Sequence, residues 1–194
     1  NVENGLEIHH DGDLPARSGL GSSSSFVVGL INSLRALDNK ISNQTYLAEK
    51  ATHIEQSILN ENVGNQDQIW AAMGGFKRLN FMTDGSCQQI SMLVSKDREQ
   101  KLIGSLMLFF TGISRFATDI AGEQIANLDK RSEHLFKMVE MVDEAQEIIN
   151  DPKRPIREIG ILLNESWLLK REIADGISNE RIDEIYQAGL DGGA

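Results

Sequence analysis

The sequence predicts an α+β fold, and three observations carry that expectation. Short runs with the two-residue period of a strand occur only before residue 112. Stretches with helical spacing are longer and dominate the remainder. A loop rich in glycine and serine joins an early strand pattern to an early helix pattern, as layered folds require.

Taken in order, Leu6, Ile8 and His10 alternate with more polar positions and read as a short strand. Asp, Gly and Pro then mark residues 11–21 as a loop. From Phe26 the spacing of Val27, Leu30, Ile31 and Leu34 predicts a helix, with Leu37 extending it. Ser22–Ser25 stand just ahead of it, where hydroxyls cap free amides. A second helix is predicted over Gln44–Leu59, with a stripe of Leu47, Ala51, Ile54 and Ile58. Residues 60–66 form a polar loop, and a short helix covers Gln68–Met73. Gly74-Gly75 stops it, and strands follow at Phe76–Phe81 and Gln88–Val94 about an Asp84-Gly85 turn. Leu106–Thr111 reads as a buried strand. Helices are predicted over Arg115–Ala126, Ser132–Ile149, Ile156–Ala174 and Asn179–Leu190, the last capped by Ser178.

Composition narrows the function. Lys plus Arg number 19 against 29 Asp plus Glu, a net charge of −10. Such a surface repels a polyphosphate backbone, so no nucleic-acid partner is expected. The longest apolar run is too short to span a bilayer, no signal sequence is visible, and no membrane partner is expected. Cys87 is the sole cysteine, so a disulfide within the chain is excluded and a reducing cytoplasm is the expected location.

The stretch Pro15-Ala16-Arg17-Ser18-Gly19-Leu20-Gly21-Ser22-Ser23-Ser24-Ser25 carries the most chemistry. Glycines let successive amides turn inward together, and the helix beyond adds free N–H groups and a positive dipole end. Serine hydroxyls add donors and a metal ligand, which suits a nucleotide polyphosphate. No Gly-Lys-Ser/Thr closes the loop, so it is not a Walker A motif. An ordinary strand–turn–helix junction with capping serines would use the same residues. Glu55 falls at the border of its helix's apolar stripe, where it reaches out to water or turns into a cleft. Asp67 is either an N-cap or a carboxylate held near a substrate hydroxyl.

Residues Pro15 to Ser24 resemble the phosphate loop of the GHMP kinases, the family of galacto-, homoserine, mevalonate and phosphomevalonate kinases. In that family a Glu on the following helix precedes a Gly-x-x-Asp-Gln segment, and Glu55 with Gly64-Asn65-Gln66-Asp67-Gln68 matches in order and separation. The resemblance implies an ATP- and magnesium-dependent phosphotransferase acting on an alcohol group. Gly19, Leu20, Gly21, Ser22, Ser23 and Ser24 would hold the nucleotide; Ser23 and Glu55 would ligate Mg2+. Asp67 would be the catalytic base or hydroxyl-orienting group, and Gln66, Asp67 and Arg115 would face the substrate.

Asp13-Leu14-Pro15-Ala16, Gly74-Gly75-Phe76, Phe109–Arg115 and Glu165–Arg171 are similar to the D-glycero-D-manno-heptose 7-phosphate kinase group within that family. The implied reaction is phosphorylation of the heptose 7-phosphate to the 1,7-bisphosphate in nucleotide-heptose synthesis. Two rival readings remain: another GHMP sugar kinase of fucose or galactose type, or a non-catalytic nucleotide-binding fragment. The resemblance implies a ribosomal protein S5 domain 2-like part over 1–82 and a ferredoxin-like, helix-rich part over 83–194. By the same resemblance, the family's Arg-x-Pro-x-Arg segment and its closing glycine-rich motif are expected to fall beyond Asn1 and Ala194, leaving the ATP–magnesium elements present and the substrate half incomplete. A homodimer is compatible with this reading. Lys170 and Arg171 are expected on a solvated helix face, Trp70 and Trp167 in packing, and His9-His10 outside any metal site.

Overall fold

The computed structural model describes residues 5–13, 19–112, 125, 127 and 129–194. They divide into two compact units, one holding the described residues up to Met92 and the other those from Leu93 to Gly112 and from 125 onward. The architecture is α+β, mostly helical, with one small sheet.

In the first unit, α1 (Ser22–Leu37) starts from Gly21, whose φ of 69° is left-handed. The four serines therefore form the first turn of the helix and do not precede it as caps. Asn43 caps α2 (Gln44–His53) by accepting from the Tyr46 amide at 2.7 Å. A π-helical turn, Ile54–Ile58, continues α2. Then come α3 (Gln66–Met73) and an antiparallel hairpin of β1 (Lys77–Phe81) and β2 (Cys87–Ser91). The core is small: Val28, Leu47 and Ala51 are buried together, with Val27, Ile31, Tyr46 and Ala72 packed around them. These side chains fix α1, α2 and α3 against one another. Arg35 closes the α1–α2 connection; it stacks over Tyr46 at 4.3 Å and donates to the Ser42 hydroxyl at 2.5 Å. The hairpin turns where Asp84-Gly85 predicts it, with the Ser86 amide donating to Asp84 Oδ1 at 2.8 Å.

In the second unit, α4 (Lys96–Gly104) follows the cap Ser95. It is joined by α5 (Ser132–Asn150), α6 (Arg157–Arg171) and α7 (Glu180–Asp191). Arg98 of α4 is 6% exposed and donates to the backbone carbonyls of Ile148 and, at 3.3 Å, Ile149. A cation thus covers the last carbonyls of α5, where the helix dipole favours it. Ile173, Ala174 and Ile177 form the buried cluster, packed by Leu135, Met138 and Trp167. Arg154 ties the α5–α6 corner by pairing with Glu144 at 2.5 Å and with Glu158.

Several expectations are corrected. Residues 5–13 form no strand, and neither do Leu106–Phe110, which are all exposed. A strand needs a neighbouring edge, and the one sheet among the described residues pairs only β1 with β2. Asn179, not Ser178, caps α7; its side chain accepts from the Ile182 amide at 2.9 Å. Ser178 instead donates to Asp183 at 2.5 Å. Arg171 is not a free surface cation, since it pairs with Asp183 at 2.9 Å beside Trp167. Helix α4 is additional to the predicted set. The predicted helix over Arg115–Ala126 lies almost wholly outside the described residues. No helix among them is long and apolar enough to cross a membrane.

Candidate functional site

The first unit brings the loop end, the π turn and the start of α3 to one place. Gly21 is pressed against Asp67: a Cβ built on Gly21 would lie 3.0 Å from Asp67 Cγ and 3.1 Å from Oδ2. Behind them sits Glu55, 1% exposed. The Ser23 hydroxyl donates to its Oε1 at 3.1 Å. The Ser24 hydroxyl reaches both oxygens, at 3.2 Å to Oε1 and 2.9 Å to Oε2. Gln68 Nε2 donates to Oε2 from within α3. Glu55 is thus the inward-turned alternative, and its carboxylate is solvated by hydroxyl and amide donors in place of water.

Local sequence explains the convergence. Ala48, Ala51 and Glu55 recur at i, i+3 and i+7, so they share one face of α2. Ala51 packs beside Val28 of α1, and Glu55 meets the serines one turn further on. The π turn winds more slowly than an α-helix and rotates Ile58 out to 57% exposure. Gln56 then reaches across the polar loop, donating to the Val63 carbonyl and to Asn65 Oδ1, each at 2.7 Å. Asn65 is the residue from which α3 starts. Asp67 is consequently the second residue of α3 and not its N-cap, and its side chain is exposed.

The remaining predicted residues are placed as follows. Gly19, Leu20 and Ser23 are exposed and Ser22 half-buried at the start of α1. The Ser24 hydroxyl points inward to Glu55. Gln66 is exposed on α3 next to Asp67. Arg115, like loop residues 14–18, lies outside the described residues. Gln68, fully buried, is the member that residue reasoning passes over except as one letter of a motif. His9 bonds Glu7 at 2.9 Å and His10 packs edge-on against Phe26. Among the described residues no three His, Cys, Asp or Glu side chains converge on a metal position.

Beside the loop, an open groove of about 540 Å³ runs between residues 6–13 and the outer face of α1. Leu6, Ile8, His10, Leu20, Phe26 and Leu30 line it, a mostly apolar surface next to the start of α1.

Residues 1–75 match the family model described as the GHMP kinases N terminal domain. Among curated proteins, the chain is 28% identical over 191 residues to D-glycero-alpha-D-manno-heptose 7-phosphate kinase of Campylobacter jejuni, covering 97% of this chain and 56% of that protein. It is 24% identical over 189 residues to the bifunctional fucokinase/GDP-fucose pyrophosphorylase of Arabidopsis thaliana, 94% of this chain and 18% of that one. Among solved structures, a Campylobacter jejuni protein assigned as a sugar kinase aligns with TM-score 0.60 and 25% identity, over 94% of this chain and 51% of that one. A D-glycero-D-manno-heptose 1-phosphate kinase from Bacteriodes thetaiotaomicron aligns with TM-score 0.52 and 21% identity, over 83% and 43%. The GHMP resemblance and the α+β fold expected from the sequence are borne out by these matches. The chain spans about half the length of the heptose kinase it matches.

Proposed function

We propose that this chain carries the phosphate-donor site of an ATP-dependent sugar kinase whose acceptor is a heptose 7-phosphate and whose product is the 1,7-bisphosphate. The observation that carries the reading is the contact of Asp67 with Gly21. It sets an exposed carboxylate directly against the loop that would hold the transferring phosphate. A base that takes the acceptor proton has to stand there, within one residue's reach of the γ-phosphoryl.

The start of α1 supplies backbone N–H groups to the phosphates, and the apolar groove beside it suits a nucleoside. Magnesium fits the donors present, because Ser23 and Glu55 offer hard oxygen ligands and the nucleotide phosphates supply others. Bound there, the ion would neutralise charge on the phosphates. The protein's own task is placement: the helix start holds the donor, and Asp67 orients and deprotonates the hydroxyl.

The acceptor rests on the relatives. Two of them are named for phosphorylated heptoses and one for fucose. Coupled ADP release with heptose 7-phosphate, fucose and galactose separates these substrates. Turnover confined to the heptose phosphate supports the reading. Preference for fucose or galactose would replace it, and nucleotide binding without turnover by the enzyme on any sugar would leave a binding module.

A further inference from the structure

We infer that Gln68 is a positioning residue that aims Glu55 at the magnesium-bound nucleotide; the inference rests on the reading just given. Its side chain is 0% exposed in a helix that packs on an apolar core. Nε2 donates to Glu55 Oε2, while Oε1 has no hydrogen-bond partner among the described residues. A buried amide with a bare carbonyl is costly, and an apolar side chain of the same length would avoid that cost. Turning the amide over would set its carbonyl against a carboxylate oxygen, acceptor against acceptor. Glu55 therefore dictates the orientation, and the fold tolerates the orphan oxygen in order to hold the carboxylate.

The consequence is an asymmetry between the two oxygens of Glu55. Oε2 is held from behind by two buried donors, Ser24 and Gln68. Oε1 faces the Ser23 hydroxyl, on an exposed residue at the loop, and lies farther from Ser24, at 3.2 Å against 2.9 Å for Oε2. Ser24 alone could let the carboxylate rotate about its last bond, since its hydroxyl reaches both oxygens. The second, directional donor from Gln68 removes that freedom and keeps Oε1 outward. Outer partners of metal ligands act in this way, and losing one costs about 10–100-fold in metal affinity.

The test compares ATP affinity by calorimetry with magnesium and with a chelator, for the wild-type chain and for Gln68→Met, which keeps length and removes both polar atoms. Wild type should bind ATP more tightly with magnesium. In Gln68→Met that advantage should fall about 10–100-fold, with affinity in chelator unchanged. Gln68→Asn, one methylene too short to reach Glu55, should lose it likewise. Retention of the full magnesium advantage in either folded variant overturns the inference and leaves the proposed function standing. A wild-type chain with no magnesium advantage overturns the proposed metal site itself, and the inference with it. Failure of both variants to fold would also overturn it, by making Gln68 a structural residue.

Discussion

Gly21 and Asp67 touch so closely that the space between them is smaller than a methyl group. The positive φ of Gly21 and the 3.0 Å that an added Cβ would leave to Asp67 Cγ are independent reasons for glycine at this position. Gly21→Ala should therefore fail twice. The left-handed conformation costs an L-residue about 1–2 kcal/mol, readable in thermal unfolding. The new Cβ also displaces the Asp67 carboxylate, and a misplacement of roughly 1 Å costs about a hundredfold in kcat. A Gly21→Ala enzyme with wild-type stability and turnover would remove the loop contact from the mechanism.

Asp67→Asn isolates the charge. The cap of α3 is Asn65, so replacing Asp67 leaves the helix start intact and unfolding near wild type. In the proposed role of base, Asp67 would be worth about 10²–10⁴-fold, and kcat should drop by that factor with affinity for Mg·ATP little altered. Steady-state rates and calorimetry on this one variant decide the matter; full activity ends the assignment.

Glu55→Gln should behave in the opposite way. It places an amide where three neighbours now donate to a carboxylate, so at least one donor loses its acceptor in a dry site. We expect a loss of about 1–3 kcal/mol in stability, together with weaker magnesium-dependent ATP binding. Unchanged stability would mean that the buried network does not hold this unit together.

Arg98→Ala tests the second unit separately. Removing the guanidinium strips the Ile148 and Ile149 carbonyls of a charged donor, worth about 1.5–3 kcal/mol. Denaturant unfolding should show that loss, and hydrogen exchange should rise at the C-terminal end of α5. Nucleotide affinity should not change, because all residues proposed to bind it lie in the first unit.

Burial pushes the Cys87 thiol up from its ordinary value. The folded chain therefore holds the thiol proton to higher pH than the unfolded chain does. The associated stability is fully present below the unfolded pKa of about 8.5 and disappears as pH rises through the folded value. Alkylation at about pH 8.5, near that unfolded value, should be slower in the native protein than in urea, and equal rates would contradict the shift.

Much of this arrangement is legible in the sequence where short-range chemistry decides. Asp84-Gly85 specifies its turn locally, and Ser132–Asn150 has enough helical period to need no partner for its recognition. The failures have long-range causes. Leu106–Phe110 is as apolar as a core strand, yet apolarity says nothing of whether a sheet edge stands beside it. Periodicity puts Glu55 at the border of its stripe because Ile54 and Ile58 outweigh two alanines. Ala48 and Ala51 are both buried, Ala51 beside Val28 of α1, and counting them puts Glu55 on the buried face. Gln68 gives no signal beyond its place beside Asp67, since a glutamine amide is buried only when a partner elsewhere in the chain receives it.

Gln56 contacts none of the proposed ligands, yet its amide spans the connection between Glu55 and α3. The carboxylate behind the loop and the carboxylate at its mouth therefore belong to one short length of chain pinned at mid-span. The separation of Glu55 from Asp67 is gauged by that pin together with the connection itself, where Asn60 takes a left-handed φ of 55° and the Glu61 amide donates to the Glu55 carbonyl at 2.9 Å. Gln56 works as a calliper screw: loosening it shifts the proposed metal side and the proposed acceptor side of the site together, in one adjustment.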